Sequence, residues 1–305
     1  MLRLGYPLRS PDLVVYKNYA LCYDQQKKIP HWVLELLVEN DLKGDGNRNK
    51  SNFKSDPNFS VIFSSQNEDY LKSGWSRGHM AAAGNHKYDQ DAMNDTFYLT
   101  NVVPQDLNNN AEFWNRIEIH CRGLLKNFNR VWLVSGPMFL SRSQGNKKFI
   151  EYEVIGKSEV AVPTHLYKVV LAEKNDKIAM GCFVVPNKPI PREQSLKEHQ
   201  VPLEFIEAKT GFTFFPKLEQ RAVEDLCKIG GCQMKTAQEF ELYYLTKQMD
   251  SARNLNHLEK LWKQIGAKSL KPDAEASNVY NRKKSEFKKL DNFQIVKRSE
   301  QTRKG

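Results

Sequence analysis

Near Pro216 the chain changes character, and a single repeated architecture cannot account for both parts. Before it, short runs rich in β-branched and aromatic residues recur at 60–64, 97–104, 131–136, 149–155, 160–172 and 178–185, the signature of strands. The later three are separated by Gly, Asn and Asp segments too short for crossover helices, so the pairing is expected to be mostly antiparallel within one sheet. Pro30, with Trp32, Val33, Leu36 and Leu37 at helical spacing, predicts an early helix that ends before a polar loop at 43–56. After Pro216 the β-rich runs give way to Ala, Leu, Glu, Lys and Gln. Leu242, Leu245 and Met249, then Leu255, Leu258, Trp262 and Ile265, keep a spacing of three to four, broken at 251–254. That predicts two helices or one kinked helix, with a further basic helix over 280–290. The fold class is therefore α+β: a mostly antiparallel sheet flanked by helices over residues 1–232, and a C-terminal helical wing with a basic tail over 233–305.

Charge follows the same division. The 305 residues carry 46 Lys and Arg against 36 Asp and Glu, a net charge of +10. From Lys247 onward there are 15 basic and 7 acidic residues, so the surplus belongs to the C-terminal part. Such a segment attracts a polyanion through counterion release, which puts nucleic acid first and an anionic membrane surface second, beside the plain reading of a solvated tail. No apolar run approaches the roughly 20 residues that cross a bilayer, and the first 25 residues have neither a secretory apolar core nor an arginine-rich presequence. The chain as given is expected to be soluble. Its five cysteines form no C-x-x-C pair and no zinc spacing, which fits a reducing or neutral compartment. Cys227 and Cys232 flank four residues, and whether they pair is left open.

Chemistry concentrates in Gly74-Trp75-Ser76-Arg77-Gly78-His79-Met80. Gly78 permits a bend or a close backbone approach, Arg77 offers a planar fork suited to phosphate, and His79 can take a proton near neutral pH. A loop histidine beside a surface arginine is the bland alternative. The segment does not stand alone, because Asn101 closes a following strand and Asn108-Asn109-Asn110 opens a helix whose apolar stripe is Trp114, Ile117, Cys121 and Leu124. The asparagine run sits where such residues cap. Glu118 lies eight residues beyond Asn110, roughly 80° of rotation and about 12 Å of rise on an α-helix. The two can share an edge but not one small ion directly, so one would ligate and the other would hold a metal-bound water.

Ser76-Arg77-Gly78-His79, Asn101, and Asn110 with Trp114 and Glu118 at this spacing resemble the ββα-metal DNA/RNA non-specific nucleases, the endonuclease G group. Ser76 stands where most members have aspartate, and together with the long helical extension it is similar to the mitochondrial exo/endonuclease branch. The resemblance runs from about Tyr6 into the basic tail and includes residues 97–105 and 134–137. It implies a ββα-metal core, with His79 as general base, Asn110 as the direct protein ligand of Mg2+ (Mn2+ able to substitute), and Glu118 orienting a metal water. Arg77 would stabilise the pentacovalent phosphate, and Asn101 would support the histidine side.

By the same resemblance Lys87 matches a phosphate-contacting lysine. Phe240 and Lys247 fall where relatives have an aromatic wedge and an arginine at the duplex end, although Lys247 lacks the arginine fork, and Phe240 suits a helix core as well. Ala83 and His86 depart from the usual residues around them. His31, His86, His120, His165, His199 and His257 read as structural. The implied activity is hydrolysis of DNA, single- or double-stranded, and of RNA or RNA/DNA hybrid, leaving 5′-phosphate and 3′-hydroxyl ends. A homodimer, a mitochondrial address and peripheral contact with the inner membrane are implied by resemblance alone. Three functions compete: a 5′–3′ exonuclease with endonuclease activity in mitochondrial DNA repair, a general endonuclease, and a non-catalytic nucleic-acid-binding module.

Overall fold

The computed structural model describes residues 13–175, 177–218 and 222–302, with side chains described as far as residue 289. Three strands open it: β1 (Leu13–Val15), β2 (Tyr19–Asp24) and β3 (Ile29–Leu37). Short helical turns and α1 (Asn67–Tyr70) lead to β4 (Ser76–His79), α2 (Gln90–Asp95) and β5 (Val102–Gln105). A π-helical turn, Asn109–Trp114, runs straight into α3 (Asn115–Gly123). Then come β6 (Arg130–Met138), the pair β7 (Arg142–Gln144) and β8 (Lys147–Phe149), and the pair β9 (Val154–Ile155) and β10 (Val160–Ala161). The long hairpin β11 (His165–Lys174) and β12 (Lys177–Pro186), α4 (Leu203–Thr210) and β13 (Val223–Asp225) follow. Three helices, α5 (Ala237–Asp250), α6 (Leu255–Ala267) and α7 (Ala274–Thr302), complete the described chain.

Seven strands form the main sheet in the order β1-β2-β3-β6-β11-β12-β13, and every neighbouring pair is antiparallel except β12 with β13. The β4–β5 pair stands apart as a small antiparallel ribbon. Both faces of the main sheet are covered. On one, Val33, Leu37, Val131, Leu133 and Val170 pack against Trp114, Ile117 and Cys121 of the π turn and α3. On the other, Val134, Tyr167, Val169 and Val184 pack against Ile206 of α4 and Phe214. Full burial of each such side chain contributes about 1.5–3 kcal/mol, which fixes α3 firmly against the sheet.

The helix expected from Pro30 is the strand β3. A spacing of four suits one helical turn and also two strand repeats. Here Val33, Glu35 and Leu37 are buried on one face, while Trp32 and Leu34 pack on the other. A strand covered on both sides shows no polar alternation to separate it from an amphipathic helix. The strand expected at 60–64 is a helical turn, Val61–Phe63, whose Val61 and Ile62 are exposed. The expectation of an entirely helical chain beyond Pro216 missed β13, three residues paired in parallel with β12. The kink expected near 251–254 separates α5 from α6, where Asn254 caps α6 by accepting from His257 N.

The described chain divides into two compact units that part between Met234 and Lys235. The second has its own apolar cluster, including Leu245, Met249, Leu258, Leu261, Ile265 and Tyr280. Among the described residues no helix is long and apolar enough to cross a membrane. Cys227 and Cys232 are joined by a disulfide, and Cys22, Cys121 and Cys182 are in none.

Candidate active site

The site grows out of the β4–β5 ribbon. Gly78 is required there by its own neighbour: a Cβ at this position would stand 2.0 Å from Oε1 of the buried Gln105. The close approach is therefore to the fold, not to a ligand. The pairing runs from Ser76↔Gln105 to His79↔Val102, and because strand side chains alternate, Arg77 and His79 fall on the same face of the ribbon. Asn101 reaches the site from behind. It is fully buried, its amide donates to the carbonyls of Ala81 (2.9 Å) and Thr96 (2.8 Å), and its oxygen accepts from Ala81 N at 2.8 Å. All its side-chain bonding goes to backbone, so it holds the turn after His79 and does not line the cleft.

The helical wall is built by Asp106. Its carboxylate accepts from Asn109 N at 2.8 Å and its carbonyl from Asn110 N at 2.9 Å, so an aspartate, not the asparagine run, starts the helix. The first turn is π-helical, wider than an α turn and often found at functional sites. Asn110, Trp114, Glu118 and Arg122 follow at intervals of four along it. Asn110 Nδ2 donates to Ser76 Oγ (3.0 Å), Trp114 Nε1 to the His79 carbonyl (3.3 Å), and Arg122 Nη1 to Asn85 Oδ1 (2.8 Å). Three members of the stripe therefore fasten the helix to the ribbon and the turn that follows it, and Glu118 faces the cleft between.

That cleft has a volume of about 450 Å3, and Arg48, Arg77, His79, Asn110 and Glu118 line it together. His79 lies between the rings of Phe53 (5.1 Å) and Phe97 (4.9 Å), and its Nε2 has no protein hydrogen-bond partner among the described residues. Burial, helped by the charges of Arg48 and His86, pushes its pKa down to about 3. The imidazole is therefore neutral at physiological pH and able to accept a proton. Burial holds the Glu118 carboxyl above the usual carboxylate range, against the pull of Arg122 and Lys168. Arg77 donates to Asn67 and stacks over Phe53 at 4.8 Å, which presents its guanidinium as a planar donor on the cleft wall.

The donors suited to a metal are hard oxygens. Because the Asn110 amide nitrogen is turned to Ser76, whose hydroxyl donates onward to the Gln105 carbonyl at 2.7 Å, the amide oxygen is the atom left for a cation. With the Glu118 carboxylate on the same wall, this donor set suits Mg2+, which takes few protein oxygens and keeps its waters. Among the described residues no three of His, Cys, Asp and Glu gather into a metal cage.

Four of the expected residues thus share one cleft, and four do not line it. Asn101 is behind it. Lys87 is exposed on the surface, with its backbone bonded to Asp41 and Gly46. Phe240 and Lys247 belong to the second compact unit. There Phe240 is buried, not presented to solvent as a wedge, and Lys247 pairs with Glu275 at 3.3 Å. Arg48 and Phe53 were missed, because they sit in the polar loop that reads only as a surface excursion. A lone Arg among Lys and Asn gives no periodic signal.

Residues 1–221 match the family model for DNA/RNA non-specific endonuclease. The chain belongs to that family. Similarity to the mitochondrial nuclease EXOG of Homo sapiens is 44% identity over 94% of this chain and 79% of that protein, and to that of Xenopus laevis 45% over 93% and 80%. The mitochondrial endonuclease G of Bos taurus is 41% identical over 67% of this chain and 69% of its own length. Among solved structures, a chain from the crystal structure of the EndoG/EndoGI complex superposes with a TM-score of 0.68 at 38% identity, covering 73% of this chain and 94% of that one. The α+β architecture is thus that of a family nuclease, whose substrate is nucleic acid and whose cofactor is a divalent metal ion.

Proposed function

We propose that the protein is a mitochondrial, magnesium-dependent nuclease that hydrolyses phosphodiester bonds without sequence preference, leaving 5′-phosphate and 3′-hydroxyl ends, as a 5′–3′ exonuclease with endonuclease capacity in mitochondrial DNA repair. The observation that carries this reading is the meeting of a neutral, unpartnered imidazole at His79 with the Asn110 amide oxygen and the Glu118 carboxylate in one cleft. The His79 imidazole takes the proton of the attacking water. A phosphodiester entering beside it brings negative charge that offsets Arg48 and raises the imidazole's proton affinity when it is needed. Arg77 donates to the non-bridging oxygens as charge builds at phosphorus. Asn110 would hold the metal through its amide oxygen, and Glu118, on the same wall, would orient a water beside it. The chemistry a metal held there would supply is electrostatic stabilisation of the departing 3′ oxygen.

The exonuclease reading is supported by extent of similarity. Coverage of 94% with nuclease EXOG has to include most of Lys235–Gly305, while coverage with endonuclease G stops at about two thirds. The second unit carries Lys247 and the sequence's basic surplus, a charge suited to a phosphate backbone. A homodimer and peripheral contact with the mitochondrial inner membrane belong to the same reading by similarity.

The test is cleavage of 5′-labelled linear duplex and of closed circular DNA, with magnesium or with chelator, by the wild type and by His79→Ala. Magnesium-dependent release of short 5′ fragments by the wild type alone is expected. Equal cleavage by His79→Ala overturns the assignment of the base. Attack on circular DNA at the rate seen on linear DNA makes the protein a general endonuclease.

A further inference from the structure

The inner face of the sheet beneath α3 carries three polar residues in an otherwise apolar layer: Glu35 on β3, Ser135 on β6 and Lys168 on β11. Lys168 donates to Ser135 and lies 4.7 Å from the Trp114 ring. Glu35 does something else. It is 2% exposed, and its Oε2 accepts from Asn85 Nδ2 at 2.9 Å and stands 3.3 Å from His86 Nε2. Asn18 Nδ2 faces His86 Nδ1 at 3.2 Å. The amide can only donate, so the ring's proton sits on Nε2, toward Glu35. The carboxylate thus grips Asn85 by a hydrogen bond, and the next residue, His86, packs beside it with Nε2 making no hydrogen bond among the described residues.

That turn forms the cleft wall, with Ala82, Ala83 and Gly84 lining it. It is held at one end by Asn101 on Ala81 and at the other by Glu35 on Asn85. Asn85 also accepts from Arg122, one helical turn beyond Glu118. The chain Glu35–Asn85–Arg122 therefore connects the sheet, the His79 turn and α3. A carboxylate placed in an apolar layer is costly unless its hydrogen bonds are made; here Oε2 accepts from Asn85 of this turn, and Oε1 has no partner among the described residues.

We propose that Glu35 is a positioning residue for phosphodiester hydrolysis, setting where the His79 turn stands relative to the helix that bears Glu118. It touches neither substrate nor metal and acts through its hydrogen bond to Asn85, with His86 packed against the same carboxylate. A displacement of about 1 Å between base and reacting atoms costs on the order of 100-fold in rate. The inference rests on the reading of the cleft as a nuclease site, but its structural readout is independent of activity.

The test uses Glu35→Gln, Glu35→Ala and His86→Asn in the full chain, at a temperature well below each variant's Tm. Four quantities are read: kcat, KM for duplex DNA, calorimetric Mn2+ affinity, and the NMR resonances of the His79 ring. Expected are a fall in kcat of about 10-fold for Glu35→Gln and about 100-fold for Glu35→Ala, with KM and Mn2+ affinity within twofold and the His79 resonances displaced. His86→Asn, which keeps the Asn85 bond, falls between Glu35→Gln and the wild type. If Glu35→Ala does not fold by near-ultraviolet dichroism, the isosteric Glu35→Gln and His86→Asn decide. A lower Tm with unchanged kcat and unmoved His79 resonances makes Glu35 purely structural and overturns the proposal. If the wild type does not cleave at all, the nuclease reading fails, and unmoved resonances then remain the result that defeats the positioning role.

Discussion

The Asn110 amide nitrogen donates to the Ser76 hydroxyl over 3.0 Å, and that hydroxyl donates to the Gln105 carbonyl over 2.7 Å. A residue of the ribbon thus decides which way the amide of the helix turns. Removing the Ser76 hydroxyl frees the amide to rotate. Ser76→Ala is expected to weaken Mn2+ or Mg2+ binding by about 10- to 100-fold, as loss of an outer-shell partner commonly does, while Asn110→Ala removes measurable binding. Isothermal calorimetry on the two variants checks both.

His79 titrates at about 3 in the folded protein, because burial opposes its charge, against 6.5 for the free side chain. The unfolded chain therefore binds more protons between those two values, so this residue's contribution to stability is complete above pH 6.5 and declines as the pH falls toward 3. Urea midpoints measured at pH 7 and pH 5 should fall further in the wild type than in His79→Asn. The comparison removes the parallel effect of His120, His165 and His199, whose pKa values are also lowered by burial.

Lys168 buries an ammonium whose hydrogen bond goes to Ser135 and whose charge lies against Trp114. Lys168→Met keeps the volume and removes the cost of burying a charge, so thermal stability should hold or rise. Lys168→Ala opens a cavity and should cost about 2–5 kcal/mol. The same charge favours ionised Glu118, so Lys168→Met is expected to move the acid limb of the pH–rate profile upward even where it stabilises the fold. Melting curves and pH profiles separate the two effects.

The Cys227–Cys232 bond closes a loop at a sequence separation of 5, and the loop's Gly231 carbonyl bonds to His120 Nε2 at 2.8 Å on α3. A loop of this size stabilises by about 2 kcal/mol in the chain-entropy account. Reduction with a dithiol should lower the Tm by a few degrees without abolishing folding, and Cys227→Ser should reproduce the shift and be insensitive to the reductant.

The residues whose spacing carries chemistry were legible from the amino-acid order. Arg77 and His79 alternate with Gly78 on one short ribbon, and Asn110 and Glu118 lie on one helix edge, so local rules reach them. Residues that act across the fold were not. Glu35 reads as one polar position in a misassigned helix, because the partner that makes it meaningful, Asn85, lies 50 residues away and meets it only in the folded turn after His79. Arg48 and Phe53 enter the cleft from a loop with no periodicity. The disulfide was left open because a spacing of five permits pairing without requiring it. Asn101 was tied to the histidine, but its role as a backbone clamp depends on three contacts that only the folded turn supplies.

The π turn at Asn109–Trp114 makes the site sensitive to chain length in a way that no side-chain substitution would reveal. Such a turn contains one residue more than the α turn it replaces, so excising the exposed Ala111 would let the helix wind regularly, a local gain in backbone bonding. The same excision would swing Asn110 relative to Glu118 by about 100°, carrying the amide oxygen out of the groove. A shortened chain that is helically better ordered and inert as a nuclease would show that the irregular winding itself is a working part.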